Sequence, residues 1–225
     1  ATAQYALTAG DSTGVTLRPL LGVNTGPYPL IEGGTAELTD EYQGVGVTMV
    51  RTHDFAGPLD MTVMYPDPSK DPSLFSSYDF SASDVRFAAI VDGGFEVYFR
   101  LGDSAGNSNP PDPAYFDNYA AAVVNVLRHY RSGLWSGFTA PITYVEIWNE
   151  PDSSAFWPGL TLWQFNTFYI KIASALRAEY LDLKIGGAGW TQGAAGSAYL
   201  GNFLDTVKTA SAPLDFLSFH LYSND

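Results

Sequence analysis

The chain has 225 residues, 46% of them hydrophobic and 16% charged, with a net charge of −13 at pH 7. These totals suit one globular domain with a substantial core, and we expect residues 1–225 to form a single domain. The acidic balance argues against binding of nucleic acid or of an anionic membrane surface. No apolar run is long enough to span a bilayer, and the absence of cysteine excludes disulfides and cysteine–zinc sites.

The start of the chain and its aromatic content give two further expectations. The chain begins ATAQYALTAG, without an initiating Met. A secreted protein begins in this way once its signal peptide has been removed, so we expect secretion, although a recombinant start would look the same. Aromatic residues make up 15% of the chain, and rings with a polar tip suit stacking on amphipathic ligands such as sugars.

Short strand-like segments and longer helix-like segments alternate along the chain. The predicted strands are rich in Val, Ile, Phe or Tyr and end at Gly, Pro or Asp. In chain order they are 15–22, 46–52, 96–101, 142–148, 183–188 and 214–221. Apolar periodicity predicts helices over 83–91, 113–131, 161–180 and 198–210, with a weaker helix over 37–42. This alternation predicts an α/β fold with a mainly parallel sheet covered by helices.

The residues that follow the predicted strands favour a (β/α)8 barrel, or TIM barrel. No glycine-rich nucleotide fingerprint follows a strand, which removes the usual support for a doubly wound nucleotide-binding sheet. In a barrel the chemistry lies on the loops after the strands. Polar and aromatic residues gather at these positions: Arg51, His53, Asp54, Arg100, Asp103, Asn149, Glu150, Trp190, Gln192, His220, Tyr222 and Asn224.

The predicted strands account for about six of the eight strands of such a barrel. Their centres lie about 40 residues apart, so eight strands would need roughly 80 residues more than the 225 present. An open six-stranded sheet would leave two bare edges. We therefore expect this chain to supply the first six strands, with the remainder on a second polypeptide or in sequence not included here.

The clearest chemical signal is the stretch YVEIWNEPD at residues 144–152, where the fourth predicted strand ends. A carboxylic acid at a barrel strand tip can be partly desolvated, which lets it donate a proton near neutral pH. Glycoside hydrolysis needs such a donor at the leaving oxygen and a second carboxylate. Glu150 would be the donor, Asn149 would bind a sugar hydroxyl, and Trp148 and Trp157 would stack on a sugar face. The alternative is that Asn149-Glu150-Pro151 only caps the strand and starts a turn.

WNEPD resembles the fourth-strand motif of glycoside hydrolase clan A, with VRTHD on the second predicted strand and SFHLY on the sixth. Within the clan the resemblance is greatest to family 39, the family of β-xylosidase and α-L-iduronidase. It extends from the first predicted strand to the sixth. It implies a TIM barrel and a retaining glycosidase acting on a β-linked oligo- or polysaccharide.

The resemblance also implies roles for individual residues. Glu150 matches the general acid/base, and Asn149 matches the residue that binds the sugar 2-hydroxyl. Arg51 matches an arginine that lies beneath the nucleophile, and His53 matches a substrate-side histidine. From the sequence alone, Arg51 could instead face a surface helix, and His53 could be purely structural.

The nucleophile implied by the resemblance is a Glu on a seventh strand, which this sequence does not contain. His220 and Tyr222 match the sixth-strand pair that lines the site near it. The carboxylates after Glu150 lie too close to it, on or at the end of a helix, at the wrong end of a strand, or at the chain terminus. They are Asp152, Glu179, Asp182, Asp205, Asp215 and Asp225.

Several other residues and one connection have open interpretations. Arg100 is a candidate for substrate contact, which would admit uronic acids, or for a salt bridge with Asp103. Trp190 is a candidate for stacking on a sugar or for covering the barrel rim. The connection 54–80 is much longer than a usual βα loop and is expected to shape the cleft, unless it forms a packed loop without substrate contact.

Trp135, Trp163 and His129 are expected to have structural roles only. Trp135 and Trp163 lie in helical contexts and are expected in the core, and His129 is expected on a helix surface. His53, His129 and His220 have no metal-ligand spacing, so we expect neither a metal nor another cofactor.

The primary hypothesis is a retaining glycoside hydrolase whose partner is a carbohydrate substrate. One alternative is a carbohydrate-binding pseudoenzyme, or an inactive fragment, that keeps the cleft without the nucleophile. A scaffold protein is a further alternative, and it would leave Arg51, Glu150 and His220 without a common pocket.

Overall fold

A computed structural model describes residues 21–28, 37–53 and 57–222. Its strands are β1 (Gly22–Asn24), β2 (Met49–Arg51), β3 (Glu96–Leu101), β4 (Tyr144–Ile147), β5 (Lys184–Trp190) and β6 (Phe216–Phe219). Its α-helices are α1 (Thr39–Gly44), α2 (Met61–Met64), α3 (Ser81–Asp92), α4 (Phe116–Ser132), α5 (Leu162–Glu179) and α6 (Ala198–Thr209). Among the described residues, no helix is long and apolar enough to cross a membrane.

The strands form one parallel six-stranded sheet in which each strand pairs with the next along the chain. This order confirms the α/β class and the predicted parallel sheet. Parallel neighbours need a crossover connection, and the helices between successive strands provide it. Within the described ranges, β1 and β6 each have a single paired neighbour and so form the two edges of the sheet.

The sheet is strongly curled. The ring of Phe216 on β6 lies 5.8 Å from the ring of Tyr98 on β3, although β3 and β6 are three strands apart in the sheet. In a flat sheet these strands would be separated by about 14 Å. Side chains on the concave face therefore meet across the interior, as they do over the first six strands of a TIM barrel.

The helices cover the convex face through an aromatic core. Phe87 on α3 lies 4.2 Å from Tyr130 on α4, and Phe165 on α5 lies 5.7 Å from Trp190 on β5. Each of these side chains is fully buried, which stabilises the fold by about 1.5–3 kcal/mol for a side chain of this size.

Local signals define where the main helices begin and end. A capping box starts α5: the Thr161 hydroxyl accepts the backbone N–H of Gln164, and the Gln164 side chain accepts that of Thr161. Gly133 follows α4 with a φ of 74°, which a glycine adopts without strain.

The predicted boundaries agree well for the central elements. Strand β3 coincides with the predicted 96–101, and α3, α4, α5 and α6 start and end within three residues of their predicted bounds. The predicted strand 15–22 lies largely outside the described residues, and β1 overlaps it only at Gly22. The connection expected over 54–80 contains α2 and a short 3-10 helix, Phe75–Ser77, in the part that the structure describes.

Candidate active site

The C-terminal ends of β2, β4 and β6 open into a cleft of about 480 Å³. All strands of a parallel sheet end at the same rim, so residues far apart in sequence meet there. The cleft is lined by Asn24, Arg51, His53, Ala105, Asn149, Glu150, Phe156, Phe219, His220, Leu221 and Tyr222. It brings Asn149 and Glu150 together with residues at the ends of β2 and β6, as the sequence predicts.

Glu150 is held at this rim by two neighbouring strands. Its Oε1 lies 2.5 Å from Nδ1 of His220, and the two side chains are 14% and 21% exposed. Its backbone N–H donates to the carbonyl of Ala188 on β5 at 2.9 Å. The carboxyl group is thus fixed in position and still accessible, which is what proton exchange with a ligand requires.

The backbone around Asn149 is strained. Trp148 and Glu150 have φ values of 72° and 44°, in the left-handed region that residues other than glycine rarely adopt. Such conformations cost about 1–3 kcal/mol each and cluster at functional sites. Packing of Trp148 offsets this cost, because its ring is fully buried against Trp157 and its Nε1–H donates to the carbonyl of Phe156 at 2.9 Å.

The same packing shows that the predicted sugar-stacking role of Trp148 is wrong. Its side chain is 0% exposed, and that of Trp157 is only 3% exposed. A ring enclosed on both faces by protein offers no platform to a sugar. Trp148 instead anchors the strained turn that carries Asn149 and Glu150.

Glu146 is a site residue that the sequence prediction missed. It lies inside β4 with 1% exposure, and its Oε2 accepts the Arg51 Nε–H at 2.6 Å. Its Oε1 accepts hydroxyl groups from Tyr98 at 3.3 Å and from Ser218 at 2.6 Å. One buried carboxylate therefore links side chains from β2, β3 and β6. The signal was present in the sequence: an inward Arg51 requires a carboxylate, and Glu146 interrupts an otherwise apolar strand.

Arg51, which Glu146 holds in place, in turn fixes the orientation of the Asn149 side chain. Its NH2 group donates to Asn149 Oδ1 at 2.8 Å, and its NH1 group donates to Asn24 Oδ1 at 3.0 Å. The orientation of the Asn149 amide is therefore set, and its Nδ2 is buried without a partner among the described residues. A buried N–H without a partner costs about 1–3 kcal/mol, so a hydroxyl group that accepted this bond would be favoured.

His53 stands next to this group as a neutral imidazole. Burial, reinforced by the Arg100 and Arg51 guanidinium groups and by the nearby His220, lowers the pKa of His53 to about 2. Its ring lies 5.9 Å from that of Phe156 at the edge of the cleft. A neutral imidazole can exchange hydrogen bonds with a sugar without adding charge to the cleft.

Arg100 does not reach the cleft, so its predicted contact with substrate is wrong. It is fully buried, and its NH2 group donates to Asp60 Oδ1 at 2.7 Å and to Ser104 Oγ at 3.3 Å. Its partner is therefore Asp60, not Asp103, which accepts the backbone N–H groups of Thr62 and Asn109. Arg100 thus fastens the connection after β2 and gives no reason to expect a uronic acid.

Burial excludes one of the two roles considered for Trp190 and reverses the expectations for Trp163 and His129. Trp190 is 0% exposed and packs against Phe203 in the helix–sheet core, so it cannot stack on a sugar. Trp163, expected in the core, is 65% exposed. His129, expected on the surface, is 2% exposed, with its Nε2 2.9 Å from Asp84 Oδ1 and its ring stacked on Phe80.

In the parts of the chain that the structure describes, no group of three or more His, Asp or Glu side chains could hold a metal ion.

Comparison with known proteins agrees with this geometry. The model of glycosyl hydrolases family 39 matches residues 35–225. A solved glucosidase from Croceicoccus marinus is similar with a TM-score of 0.74 and 30% identity, over 89% of this chain and 43% of that one.

Two further solved structures share the fold at lower identity. A family 39 enzyme from Xanthomonas axonopodis pv. citri has a TM-score of 0.64 and 21% identity, over 91% of this chain and 40% of that one. A monomeric β-xylosidase from Caulobacter crescentus CB15 has a TM-score of 0.63 and 21% identity, over 91% of this chain and 42% of that one. The chain thus spans less than half the length of these proteins. The chain belongs to glycosyl hydrolase family 39.

Proposed function

We propose that the protein containing this chain is a retaining glycoside hydrolase that acts on a neutral β-linked saccharide, with Glu150 as its general acid/base. The observation that carries the proposal is the position of Glu150. Its carboxyl group is hydrogen-bonded to His220 at the rim of a cleft that also contains Arg51 and Asn149. Family membership supports the same reaction class.

The reaction divides into two steps. In the first, the carboxylic acid of Glu150 protonates the leaving glycosidic oxygen while a second carboxylate attacks the anomeric carbon, forming a glycosyl-enzyme. In the second, the Glu150 carboxylate takes a proton from water, whose oxygen attacks the anomeric carbon and releases the sugar. Asn149 would donate its Nδ2–H to a sugar hydroxyl throughout, because Arg51 holds its other amide atom.

We propose that the second carboxylate lies outside this sequence, together with the strands that complete the barrel. Glu146 is a poor substitute, because both of its oxygens accept hydrogen bonds and it is 1% exposed beneath the cleft. Of the other carboxylates after Glu150, Glu179 pairs with Arg128 and Asp215 pairs with Arg177, away from the cleft. The intact mass of the native protein would show whether the remainder is on the same polypeptide or on a second one.

The decisive test is Glu150→Gln in the full-length natural protein. We expect turnover of an unactivated glycoside to fall by about 10²–10⁴-fold, the usual contribution of a general acid. Binding of the saccharide should be nearly unchanged, because the amide occupies the same space. An aryl glycoside with a good leaving group needs no protonation, so its first step should be largely retained.

The matched control is Glu179→Gln, which changes a surface carboxylate paired with Arg128. It should leave turnover of both substrates unchanged. Undiminished hydrolysis of the unactivated glycoside by Glu150→Gln would refute the assignment. Saccharide binding without turnover by the unaltered protein would support a carbohydrate-binding protein instead, a function that fits the absence of a second cleft carboxylate among the described residues.

A further inference from the structure

A second groove, of about 650 Å³, is built by the same loop that carries Glu150. Its walls are the loop after β4, the first turn of α5 and the first turn of α6. Glu150 lines the catalytic cleft, whereas the next residues, Pro151 and Asp152, line this groove. The two depressions are therefore adjacent at the rim of the sheet.

Two exposed aromatic side chains distinguish the groove from the rest of the helix surface. Trp163 at the start of α5 is 65% exposed, and Tyr199 at the start of α6 is 60% exposed. The next aromatic residues on these helices, Phe165 and Phe203, are fully buried. Large aromatic groups left in solvent beside a concavity are typical of a binding surface for an amphipathic ligand.

The walls of the groove are held by hydrogen bonds. Asp152 accepts the backbone N–H of Thr191 at 3.2 Å and also accepts its hydroxyl group. Asn202 on α6, which lines the groove, accepts a hydrogen bond from Asn166 on α5 at 2.9 Å, which joins the two helices. A preformed site of this kind loses little entropy when it binds a ligand.

We propose that this groove binds the saccharide residues on the leaving-group side of the bond to be cleaved, an inference that rests on the proposed function. A general acid protonates the leaving oxygen and therefore stands on that side of the bond. The groove begins at the residue after the acid. A saccharide chain leaving the cleft past Glu150 thus meets Trp163 and Tyr199, whose rings match the apolar faces of sugar rings.

The polar groups of the groove define the class of saccharide. Asp152, Ser154 and Asn202 lie along the walls, where they can exchange hydrogen bonds with sugar hydroxyls. A carboxylate in the groove, on a chain of net charge −13, disfavours an anionic saccharide. The groove therefore suits a neutral oligosaccharide rather than a short glycoside, and the β linkage follows from the proposed function.

The test compares long and short substrates of the full-length natural protein with Trp163→Ala and Tyr199→Ala. We expect kcat/KM for xylohexaose or cellohexaose, whichever is cleaved, to fall roughly three- to tenfold for each variant. The value for the corresponding p-nitrophenyl glycoside should not change, because its leaving group is too short to reach the groove. Tyr115→Ala, at an aromatic residue that is 38% exposed elsewhere, is the matched control.

A direct binding measurement separates this inference from the proposed function. Titration calorimetry with the same hexaoses in the Glu150→Gln background should show weaker binding after Trp163→Ala, whether or not the parent protein has turnover. Unchanged hexaose binding would overturn the inference even in an active enzyme. So would a fall in the melting temperature of Trp163→Ala with unaltered hexaose kinetics, because the groove would then be covered by another part of the protein.

Discussion

At the residue scale, the arrangement of side chains in the cleft depends on Glu146. This residue is buried and is not one of the described residues that line the cleft. Its carboxylate fixes Arg51, and Arg51 in turn sets the direction of the Asn149 amide. The cleft therefore presents an N–H donor where a freely rotating amide could present either group. Glu146 is in this sense a positioning residue for the proposed sugar contact.

Replacing Glu146 with Gln should damage both stability and activity. The change leaves the Arg51 guanidinium with an uncompensated charge, so we expect the free energy of unfolding to fall by about 3 kcal/mol. In the full-length protein, kcat/KM should fall as well, because the Asn149 amide is no longer held in one direction. Denaturant unfolding and steady-state kinetics measure the two effects.

Tyr98→Phe is the control for this prediction, because it removes only the hydrogen bond from the Tyr98 hydroxyl to Glu146 and should cost about 1 kcal/mol. A Glu146→Gln variant as stable and as active as the unaltered protein would show that the network has no positioning role.

From the buried carboxyl group of Asp103 we predict a second effect at the residue scale, a dependence of the folding stability on pH. Burial raises the pKa of Asp103 from 3.8 to about 6, so the folded chain holds this proton more tightly than the unfolded chain does. The resulting stabilisation is complete below pH 3.8 and is lost as the pH rises through 6. Relative to Asp103→Asn, which stays neutral, the unaltered protein should lose stability between about pH 4 and pH 7.

Urea unfolding of both proteins across this pH range measures the difference. Asp182→Asn is the control: Arg131 lowers the pKa of this exposed carboxyl, so its titration lies below the window and it should add no slope there. A difference between the unaltered protein and Asp103→Asn that did not vary with pH would contradict the prediction.

The sequence identified the cleft residues that follow strands, but it did not reveal which rings were buried. Glu150, Asn149, Arg51 and His220 could be placed because parallel strands share one rim. Trp148 was misassigned and the role of Trp190 was left open, since a tryptophan near a strand end looks the same whether it faces the cleft or the helices. That choice depends on packing partners, such as Phe168 and Phe203, that lie far away in the sequence.

At the element scale, β5 determines how closely its neighbours approach. A Cβ at Gly186 would lie 2.3 Å from the carbonyl oxygen of Phe216 on β6, and one at Gly187 would lie 2.9 Å from that of Ile147 on β4. At the end of the same strand, a Cβ at Gly189 would lie 3.1 Å from His220 and 3.2 Å from Arg51. The glycines of β5 thus leave space for the site as well as for the sheet.

Gly189→Ala should therefore reduce activity more than a surface change of the same size. The residue has a φ of 57°, which costs an alanine about 1–2 kcal/mol, and its methyl group would press on Arg51, His220 and Asn149. We expect a lower melting temperature and a fall in kcat/KM in the full-length protein. Gly201→Ala is the control: it lies in α6 with open space around it and should stabilise the helix. Equal activity of the two variants would argue against crowding at the site.

The boundaries of the elements were predictable to different degrees. The helices carry their own signals, such as the Thr161–Gln164 capping box, which a single sequence displays. Strand ends are decided by pairing with neighbours, so β2, β4 and β6 are shorter than their apolar runs. Short elements such as α2 are held by tertiary contacts, including that of Thr62 with Asp103, and they escaped prediction.

At the scale of the whole molecule, the edge strand β6 leaves apolar side chains in solvent. Leu217 is 36% exposed, Phe219 is 45% exposed and Leu221, just beyond the strand, is 79% exposed. An uncovered edge with such side chains is a template for pairing with another chain. The parallel sheet was predictable from the alternation of strands and helices, and the barrel from the polar residues after the strands. The exposure of side chains at the sheet edge depends on tertiary packing and was not.

The 225-residue chain should therefore self-associate when it is produced alone. Leu217→Lys places a charge beside the edge and should reduce the associated fraction in sedimentation velocity experiments. Leu74→Lys is the control, because this leucine is 52% exposed but lies in the connection after β2. A monomeric parent chain, or equal effects of the two lysines, would contradict the prediction.

The rings of Tyr98 and Phe216, which meet inside the curled sheet, have one more consequence. The Tyr98 hydroxyl also donates to Glu146, so these side chains fill the interior of the curled sheet below the rim that carries Glu150. In the proposed hydrolase, the saccharide, the water that completes hydrolysis and the departing sugar would then enter and leave at the C-terminal ends of the strands. The loops at that rim would control the order in which the products are released.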